Sequence, residues 1–166
     1  MILVTTGSAG DPFDRLLGVI ERFETDEEIV AQVGPSSLRP RNARCVEYFP
    51  FGELMEIAGR ARTIVAHAGV GSILLCRAVG KAPIVVPRLP RLGEAVDDHQ
   101  LVLARRLAEA GAVTLVEDVG ELPRMVRLTA AASTPAGHGA SRQLVDELSS
   151  YIGAVIGAPA AADGLP

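Results

Sequence analysis

The sequence contains no tryptophan and few aromatic residues of any kind. Phe and Tyr make up 4% of its 166 residues, whereas proteins that bind single-stranded nucleic acid stack bases on aromatic side chains. Basic residues are also scarce: 16 Lys and Arg stand against 20 Asp and Glu. No basic run is present that would neutralise a phosphate backbone. The composition therefore predicts no nucleic-acid partner.

Long apolar runs and paired cysteines are missing as well. The mean hydropathy is +0.28, yet no uninterrupted apolar stretch reaches the roughly 18 residues that indicate a membrane-spanning helix. The N-terminus lacks the basic region of a signal peptide, and Asp11 and Asp14 interrupt it early. Cys45 and Cys76 belong to no CxxC motif, which is typical of reduced thiols. We expect a cytoplasmic protein.

Motifs for metal binding and for a serine nucleophile are also lacking. His67, His99 and His138 do not have the spacing of metal ligands. No GxSxG sequence, which would place a nucleophilic serine on a strand-to-helix turn, occurs. The sequence therefore predicts neither a metal nor another cofactor.

The sequence does contain short apolar runs that alternate with amphipathic stretches. Predicted strands cover residues 2–5, 28–33, 46–48, 63–66, 84–86 and 113–116. Predicted helices lie at 13–20, through Leu54 and Ile57, at 72–79 before Gly80, and at 98–110. This order predicts an α/β fold with a doubly wound, mostly parallel, Rossmann-like sheet. Ligands are expected beyond the carboxyl ends of its strands.

The length fits one domain with a substantial core. We assign residues 1–128 to this domain and residues 129–140, rich in Ala, Gly, Ser and Thr, to a linker. Residues 141–157 carry an apolar stripe through Leu144, Leu148 and Ile152, typical of an amphipathic helix that packs on its own domain or on a partner. We expect the tail, residues 158–166, to be frayed.

The most informative motif is VAHAGVGS at residues 65–72, where a strand ends and a helix begins. A helix start offers unpaired backbone N–H groups to an anion. Gly69 and Gly71 would let a phosphate approach the backbone, Ser72 could cap the helix or bond a phosphate oxygen, and His67 could donate to it. Tight packing of the turn is the alternative. The motif is neither a P-loop nor GxGxxG.

Two other loops also follow strands. In the first, residues 87–100, Asp98 and Gln100 could bind sugar hydroxyls; the alternatives are N-capping by the acidic pair and a solvated loop at Arg88. The second loop, residues 5–11, also lies between a strand and a helix. The alternative to a role in ligand binding is a cap at Asp11 with Pro12 at the first helical position.

Three linked motifs resemble the C-terminal, donor-binding domain of family 28 glycosyltransferases. They are HAGVGS at 67–72, GKAPIVVP at 80–87 and DDHQ at 97–100, and the opening VTTGS fits the same pattern. The resemblance covers residues 1–125. It is closest to the stand-alone subunits of split enzymes, such as the two-part UDP-GlcNAc transferase of lipid-linked oligosaccharide synthesis and the bacterial exopolysaccharide pairs.

The resemblance implies one half of a GT-B architecture with a UDP-sugar donor. The diphosphate would lie at residues 67–72, with His67 in a catalytic role. The implied donor-binding residues are Gly7, Ser8, Ala68, Gly69, Val70, Gly71, Ser72, Arg88, Glu94, Asp98, His99 and Gln100. The sequence departs from the family at Leu75, where many relatives carry a Glu that binds the ribose hydroxyls; Glu94 is a distant candidate to replace it.

The resemblance further implies the donor-binding subunit of a two-component inverting glycosyltransferase. Such an enzyme transfers a hexose-type sugar to a lipid-linked or polysaccharide acceptor. A membrane-associated, acceptor-binding subunit would complete it and recruit the chain to the cytoplasmic membrane face. Alone, the chain would expose an apolar patch or form a homo-oligomer. The alternative is a nucleotide-binding or scaffold module without turnover. A dinucleotide oxidoreductase is disfavoured, because TTGSAGD replaces GxGxxG.

Overall fold

The computed structural model describes residues 1–8 and 11–131, which form a six-stranded sheet covered by helices. The strands are β1 (Ile2–Thr5), β2 (Ile29–Gln32), β3 (Arg44–Val46), β4 (Thr63–His67), β5 (Ile84–Val86) and β6 (Thr114–Leu115). Their order is β3-β2-β1-β4-β5-β6, and every neighbouring pair is parallel. This confirms the predicted doubly wound fold.

In the described part of the chain, five α-helices cover the two faces of the sheet. They are α1 (Asp14–Glu21), α2 (Phe51–Arg60), α3 (Val70–Ala78), α4 (His99–Glu109) and α5 (Leu122–Ala131). Alternate strand residues point to opposite faces, so Val4 packs with α1 and α5, whereas Leu3 packs with α2 and α3. A third cluster joins α3 and α4 through Ile73 and Leu103. Burial on both faces explains why the central strands are continuously apolar.

Most element boundaries differ from the prediction by one or two residues. Strand β3 ends at Val46 rather than spanning 46–48, because this edge strand is partly exposed and lacks a continuous apolar run. Helix α3 begins at Val70, two residues before the predicted start. Helix α1 begins at Asp14 with Phe13 in the capping position, so the alternative of a cap at Asp11 is wrong. The Phe13 N–H instead donates to Ser36 Oγ at 2.8 Å.

The C-terminal segment adds one helix that the sequence pattern did not predict. Helix α5 ends at Ala131, so it overlaps the first three residues of the 129–140 range. The remainder of that range, the predicted helix at 141–157 and the predicted tail at 158–166 lie outside the described residues. Within the described part of the chain, no helix is long and apolar enough to span a membrane.

Candidate functional site

A cleft of about 570 Å³ opens at the carboxyl ends of β1 and β4. The strand order reverses between these two neighbours, and doubly wound folds bind ligands at this switch point. The lining residues are Thr5, Gly7, Ser8, Gln32, Tyr48, Phe49, Phe51, Leu54, His67, Gly69, Val70, Gly71, Ser72 and Leu75. Seven of the thirteen residues that the resemblance singled out are therefore together in one cleft: Gly7, Ser8, His67, Gly69, Val70, Gly71 and Ser72.

His67 is buried at the end of β4, and two glycines leave room for its ring. A Cβ at Gly7 would lie 2.3 Å from His67 Cε1, and a Cβ at Gly69 would lie 2.1 Å from His67 Nε2. Gly7 also has a φ of +84°, which favours glycine. At Gly71 a Cβ would meet nothing within 4 Å. Gly69 is therefore needed to make room for the imidazole, whereas Gly71 faces open space.

The surroundings of His67 keep its imidazole neutral. Burial, and to a smaller extent the positive charge of Arg88, lowers the pKa of His67 to about 4. Nδ1 lies 3.3 Å from Ser72 Oγ, so Ser72 bonds the imidazole rather than capping α3. A neutral imidazole held at one nitrogen can present the other to a ligand, as donor or as acceptor.

The start of α3 forms the polar end of the cleft. Gly69 occupies the N-cap position, and no side chain caps the helix there. The first backbone N–H groups of a helix have no intrahelical partner, and they carry the positive end of the helix dipole. The backbone at Val70, Gly71 and Ser72 lines the cleft. This end of the cleft is suited to an anion.

An aromatic wall also lines the cleft, and the sequence reasoning missed it. Tyr48 and Phe49 lie just before α2, and Phe51 and Leu54 lie in that helix. Leu75 of α3 adds an apolar side chain to the lining. The chain has only four Phe and two Tyr, and half of these six aromatic residues fall within residues 48–51. This clustering, directly before a predicted helix, was the signal that could have identified the wall.

Gln32 connects the loop after β1 with the aromatic residues before α2. Its Nε2 donates to Thr5 Oγ1 at 3.3 Å and to the Gly7 carbonyl at 3.4 Å, while its Oε1 accepts from the Phe49 N–H at 3.1 Å. Because Gln32 is buried, these bonds satisfy an amide that would otherwise be costly. They fix the loop after β1 relative to the aromatic loop.

Arg88, which is a predicted donor-binding residue, does not line the cleft. Its side chain is 1% exposed, so it is neither in a solvated loop nor open to a ligand. The guanidinium donates to the carbonyls of Thr6 and Pro12, both at 2.9 Å, and lies 4.6 Å from the centre of the Phe13 ring. Arg88 therefore ties the loop after β5 to the loop after β1, next to Gly7.

Glu94, another predicted donor-binding residue, does not line the cleft either. Its carboxylate pairs with Arg15, with Oε1 2.8 Å from Nε and Oε2 2.9 Å from Nη2. Oε2 also accepts from the Leu89 N–H at 3.1 Å, and the residue is buried. Glu94 thus stabilises its own loop and does not line the cleft, so it does not replace a carboxylate at Leu75.

The remaining predicted residues lie beside the cleft without lining it. Ala68 packs inside the α3–α4 cluster. Asp98 and His99 are exposed at the start of α4. Asp98 occupies the N-cap position without a side-chain capping bond, and the His99 N–H donates to Asp97 Oδ1 at 3.0 Å. Gln100 Oε1 accepts from the Arg88 N–H at 3.2 Å, which attaches α4 to the loop after β5. For Ala68, Asp98, His99 and Gln100, a role in binding the sugar donor stays a prediction.

Comparison with known structures shows what kind of domain carries this cleft. The chain matches the glycotransferase of kitacinnamycin with a TM-score of 0.61 and 22% identity, over 90% of this chain and 39% of that one. It matches the glycosyltransferase SnogD from Streptomyces nogalater with a TM-score of 0.52 and 23% identity, over 88% and 44% of the two chains. The fold is therefore the doubly wound half of a GT-B architecture, as predicted.

Residues 1–129 match the family model described as "Glycosyltransferase family 28 C-terminal domain", and the chain belongs to this family. The curated relative it resembles is the UDP-N-acetylglucosamine transferase subunit ALG13 of Yarrowia lipolytica. The two are 28% identical over 123 residues, which are 64% of this chain and 60% of the relative. The chain thus spans about three fifths of that relative's length.

Proposed function

We propose that the chain is the donor-binding subunit of a two-component inverting glycosyltransferase that uses a UDP-sugar. The observation that carries the proposal is one cleft that is lined both by an anion-favouring helix start and by an aromatic wall. A nucleoside diphosphate has the same two chemical ends. The cleft volume of about 570 Å³ lies within the range of small-ligand sites.

In the proposed mechanism, charge that develops on the leaving UDP is stabilised at the start of α3. The N–H groups of Gly71 and Ser72 and the helix dipole point at the diphosphate. In this proposal Nδ1 of the neutral His67 accepts from the Ser72 hydroxyl, so the single N–H of the imidazole, at Nε2, donates to the diphosphate. A neutral His67 fits this role, because it adds a hydrogen bond without an unpaired buried charge. No metal or other cofactor takes part in the proposal.

Binding of the sugar is proposed for the start of α4. Asp98, His99 and Gln100 follow β5, which is the strand next to β4. His67 and Val86 are paired in register, so both loops leave the sheet at the same edge. We propose that these residues orient a hexose-type sugar relative to the diphosphate, which supplies proximity rather than covalent chemistry.

The proposal assigns the catalytic base to a second subunit. No carboxylate lines the cleft within residues 1–8 and 11–131, and burial keeps His67 a weak base. Exposed apolar side chains on the same edge, including Phe51, Leu92 and Val96, support a partner that covers it. We propose a membrane-associated partner that holds a lipid-linked or polysaccharide acceptor at the cytoplasmic face. Without it, self-association through this edge is expected by size-exclusion chromatography.

The missing carboxylate also favours a second candidate, a nucleotide-binding or scaffold module without turnover of its own. Activity of the reconstituted pair distinguishes the two candidates. Loss of sugar transfer in His67→Gln and Gln100→Ala supports the enzyme, and unchanged transfer in both supports the scaffold. Arg91→Met is the matched control, since Arg91 is exposed and lies outside the cleft.

Calorimetric titration of the full chain with UDP and several UDP-sugars, alone and with its partner, tests the proposed function. We expect UDP to bind and the UDP-sugars to bind at the same site by competition. Absence of binding by every nucleotide, with and without the partner, would overturn the proposal.

A further inference from the structure

Gln32 is the last residue of β2, the strand that lies between β1 and β3. In register it is paired with Thr5 on one side and with Val46 on the other. Side chains alternate along a strand, so Gln32 shares a face with Val30, which packs in one cluster with Phe49. The loop after β1 and the aromatic residues after β3 both line the cleft. The strand order therefore places one buried polar side chain between them.

The loop after β1 is held by hydrogen bonds that do not involve the Gln32 side chain. The Thr6 N–H donates to the backbone carbonyl of Gln32 at 3.0 Å, and the Thr6 carbonyl accepts from Arg88 at 2.9 Å. The Gly7 N–H donates to Thr5 Oγ1 at 3.2 Å. The two bonds that Gln32 Nε2 donates to Thr5 and Gly7 are longer, at 3.3 and 3.4 Å. Loss of the Gln32 amide would therefore leave this loop largely in place.

The backbone before α2 depends more strongly on Gln32. In the described part of the chain, the Phe49 N–H donates to Gln32 Oε1 at 3.1 Å, and a buried N–H that loses its acceptor is costly. The Phe49 ring packs with Ile57 and is 9% exposed. Its neighbours Tyr48 and Phe51 are 44% and 71% exposed, so little packing fixes them. Their positions in the cleft therefore depend on the backbone that Gln32 holds.

We infer, on the basis of the proposed function, that Gln32 is a positioning residue, which holds the aromatic wall at a fixed distance from the start of α3. Gln32 acts through the Phe49 N–H. A ligand that contacts both parts of the cleft gains from this spacing, because a wall that had to be ordered on binding would reduce its affinity. A ligand that occupies only the helix start gains nothing from it. Gln32 therefore increases the affinity for nucleoside diphosphates much more than the affinity for inorganic pyrophosphate.

Titration calorimetry of the full chain and of Gln32→Met with UDP and with pyrophosphate tests the inference. Met is similar in size to Gln, and its sulfur is only a weak acceptor for the Phe49 N–H. The ratio of the pyrophosphate dissociation constant to the UDP dissociation constant is expected to fall by about fivefold or more in Gln32→Met. A smaller fall, or equal loss of both ligands, would overturn the inference and leave the proposed function intact, and so would failure of pyrophosphate to bind the unmodified chain. Failure of UDP to bind the unmodified chain would overturn the proposed function and this inference with it.

Two further variants separate the Phe49 contact from a general loss of structure. Gln32→Glu keeps an acceptor for the Phe49 N–H, and its negative charge weakens the binding of both anionic ligands, so the ratio should change by less than about fivefold. Ser36→Ala, the matched control, removes a buried hydrogen bond from the Phe13 N–H outside the cleft, and its ratio should not change. A change of about fivefold or more in either variant would overturn the assignment to this contact. Gln32→Ala, with the same expected fall, replaces Gln32→Met if circular dichroism shows the latter unfolded.

Discussion

The imidazole of His67 occupies the space that a side chain at Gly69 would need. A Cβ at Gly69 would lie 2.1 Å from His67 Nε2, a separation that real Cβ atoms do not show. The two residues lie at the end of β4 and at the N-cap of α3. The strand-to-helix turn therefore depends on the pair, even before any ligand binds.

Gly69→Ala is expected to destabilise the chain by about 1–3 kcal/mol, since the imidazole or the turn must move. Gly71→Ala is the matched control, because a Cβ there meets nothing within 4 Å, and its stability should not fall. The free energy of unfolding from urea titrations measures both. Equal stability of Gly69→Ala and the unmodified chain would contradict the packing role of Gly69.

His67 should make the stability of the chain depend on pH between about 6.5 and 4. The pKa of His67 is about 4 in the folded chain, below its ordinary value of 6.5, so between these pH values the unfolded chain binds the extra proton. The stabilisation is complete above pH 6.5 and is lost as the pH falls toward 4. At about pH 5 the loss due to His67 is about 2 kcal/mol.

Urea titrations at pH 7.5 and pH 5 check this expectation. His67→Asn should abolish most of the pH-dependent loss, and His99→Asn, at an exposed position, should retain it. The comparison uses the change with pH within each variant, so a general loss of stability in His67→Asn does not affect it. The same pH dependence in His67→Asn and the unmodified chain would refute a neutral, buried His67.

Replacement of Arg88 by Met is expected to cost about 3 kcal/mol or more. The change leaves the carbonyls of Thr6 and Pro12 without their donor in a buried site. Arg91→Met is the control, since Arg91 is exposed in the same loop, and its effect should be close to zero. Thermal unfolding of both variants measures the difference. Similar small effects would mean that Arg88 does not hold the two loops together.

The aromatic wall should contribute to nucleotide affinity without supporting the fold. Phe51 is 71% exposed, so Phe51→Ala is expected to leave the unfolding free energy nearly unchanged. Base–aromatic stacking contributes about 1–3 kcal/mol, so UDP affinity should fall about 5- to 150-fold. Leu128→Ala, at a half-exposed residue of α5 outside the cleft, should bind UDP normally. Unchanged UDP affinity in Phe51→Ala would exclude stacking at this wall.

The sheet and the turn at residues 67–72 were predictable because their signals are local. Apolar runs marked the central strands, and glycines after a strand marked the start of α3. Strand β3 was misplaced because only its partly exposed edge position, set by pairing with β2, defines it. Its limits depend on a partner strand rather than on its own pattern.

The roles of Arg88 and Glu94 could not be predicted from their own loop. Arg88 is buried against Thr6 and Pro12, which lie 82 and 76 residues away along the chain. Glu94 is paired with Arg15, 79 residues away. A charged residue in a loop gives no local sign of such partners, so exposure was the natural expectation. The aromatic cluster at 48–51, by contrast, was visible in the sequence and was overlooked.

A nitrogen–proton correlation NMR titration of the labelled full chain with UDP tests the central claim most directly, because it locates the ligand. The account predicts the largest shifts at the amides of Gly7, Gly69, Gly71, Ser72 and Phe51. The amides of Arg22 and Thr25, at the opposite end of α1 from this edge, should not move. Saturable shifts confined to other residues, with Gly71 and Ser72 unchanged, would contradict a nucleotide site at the start of α3.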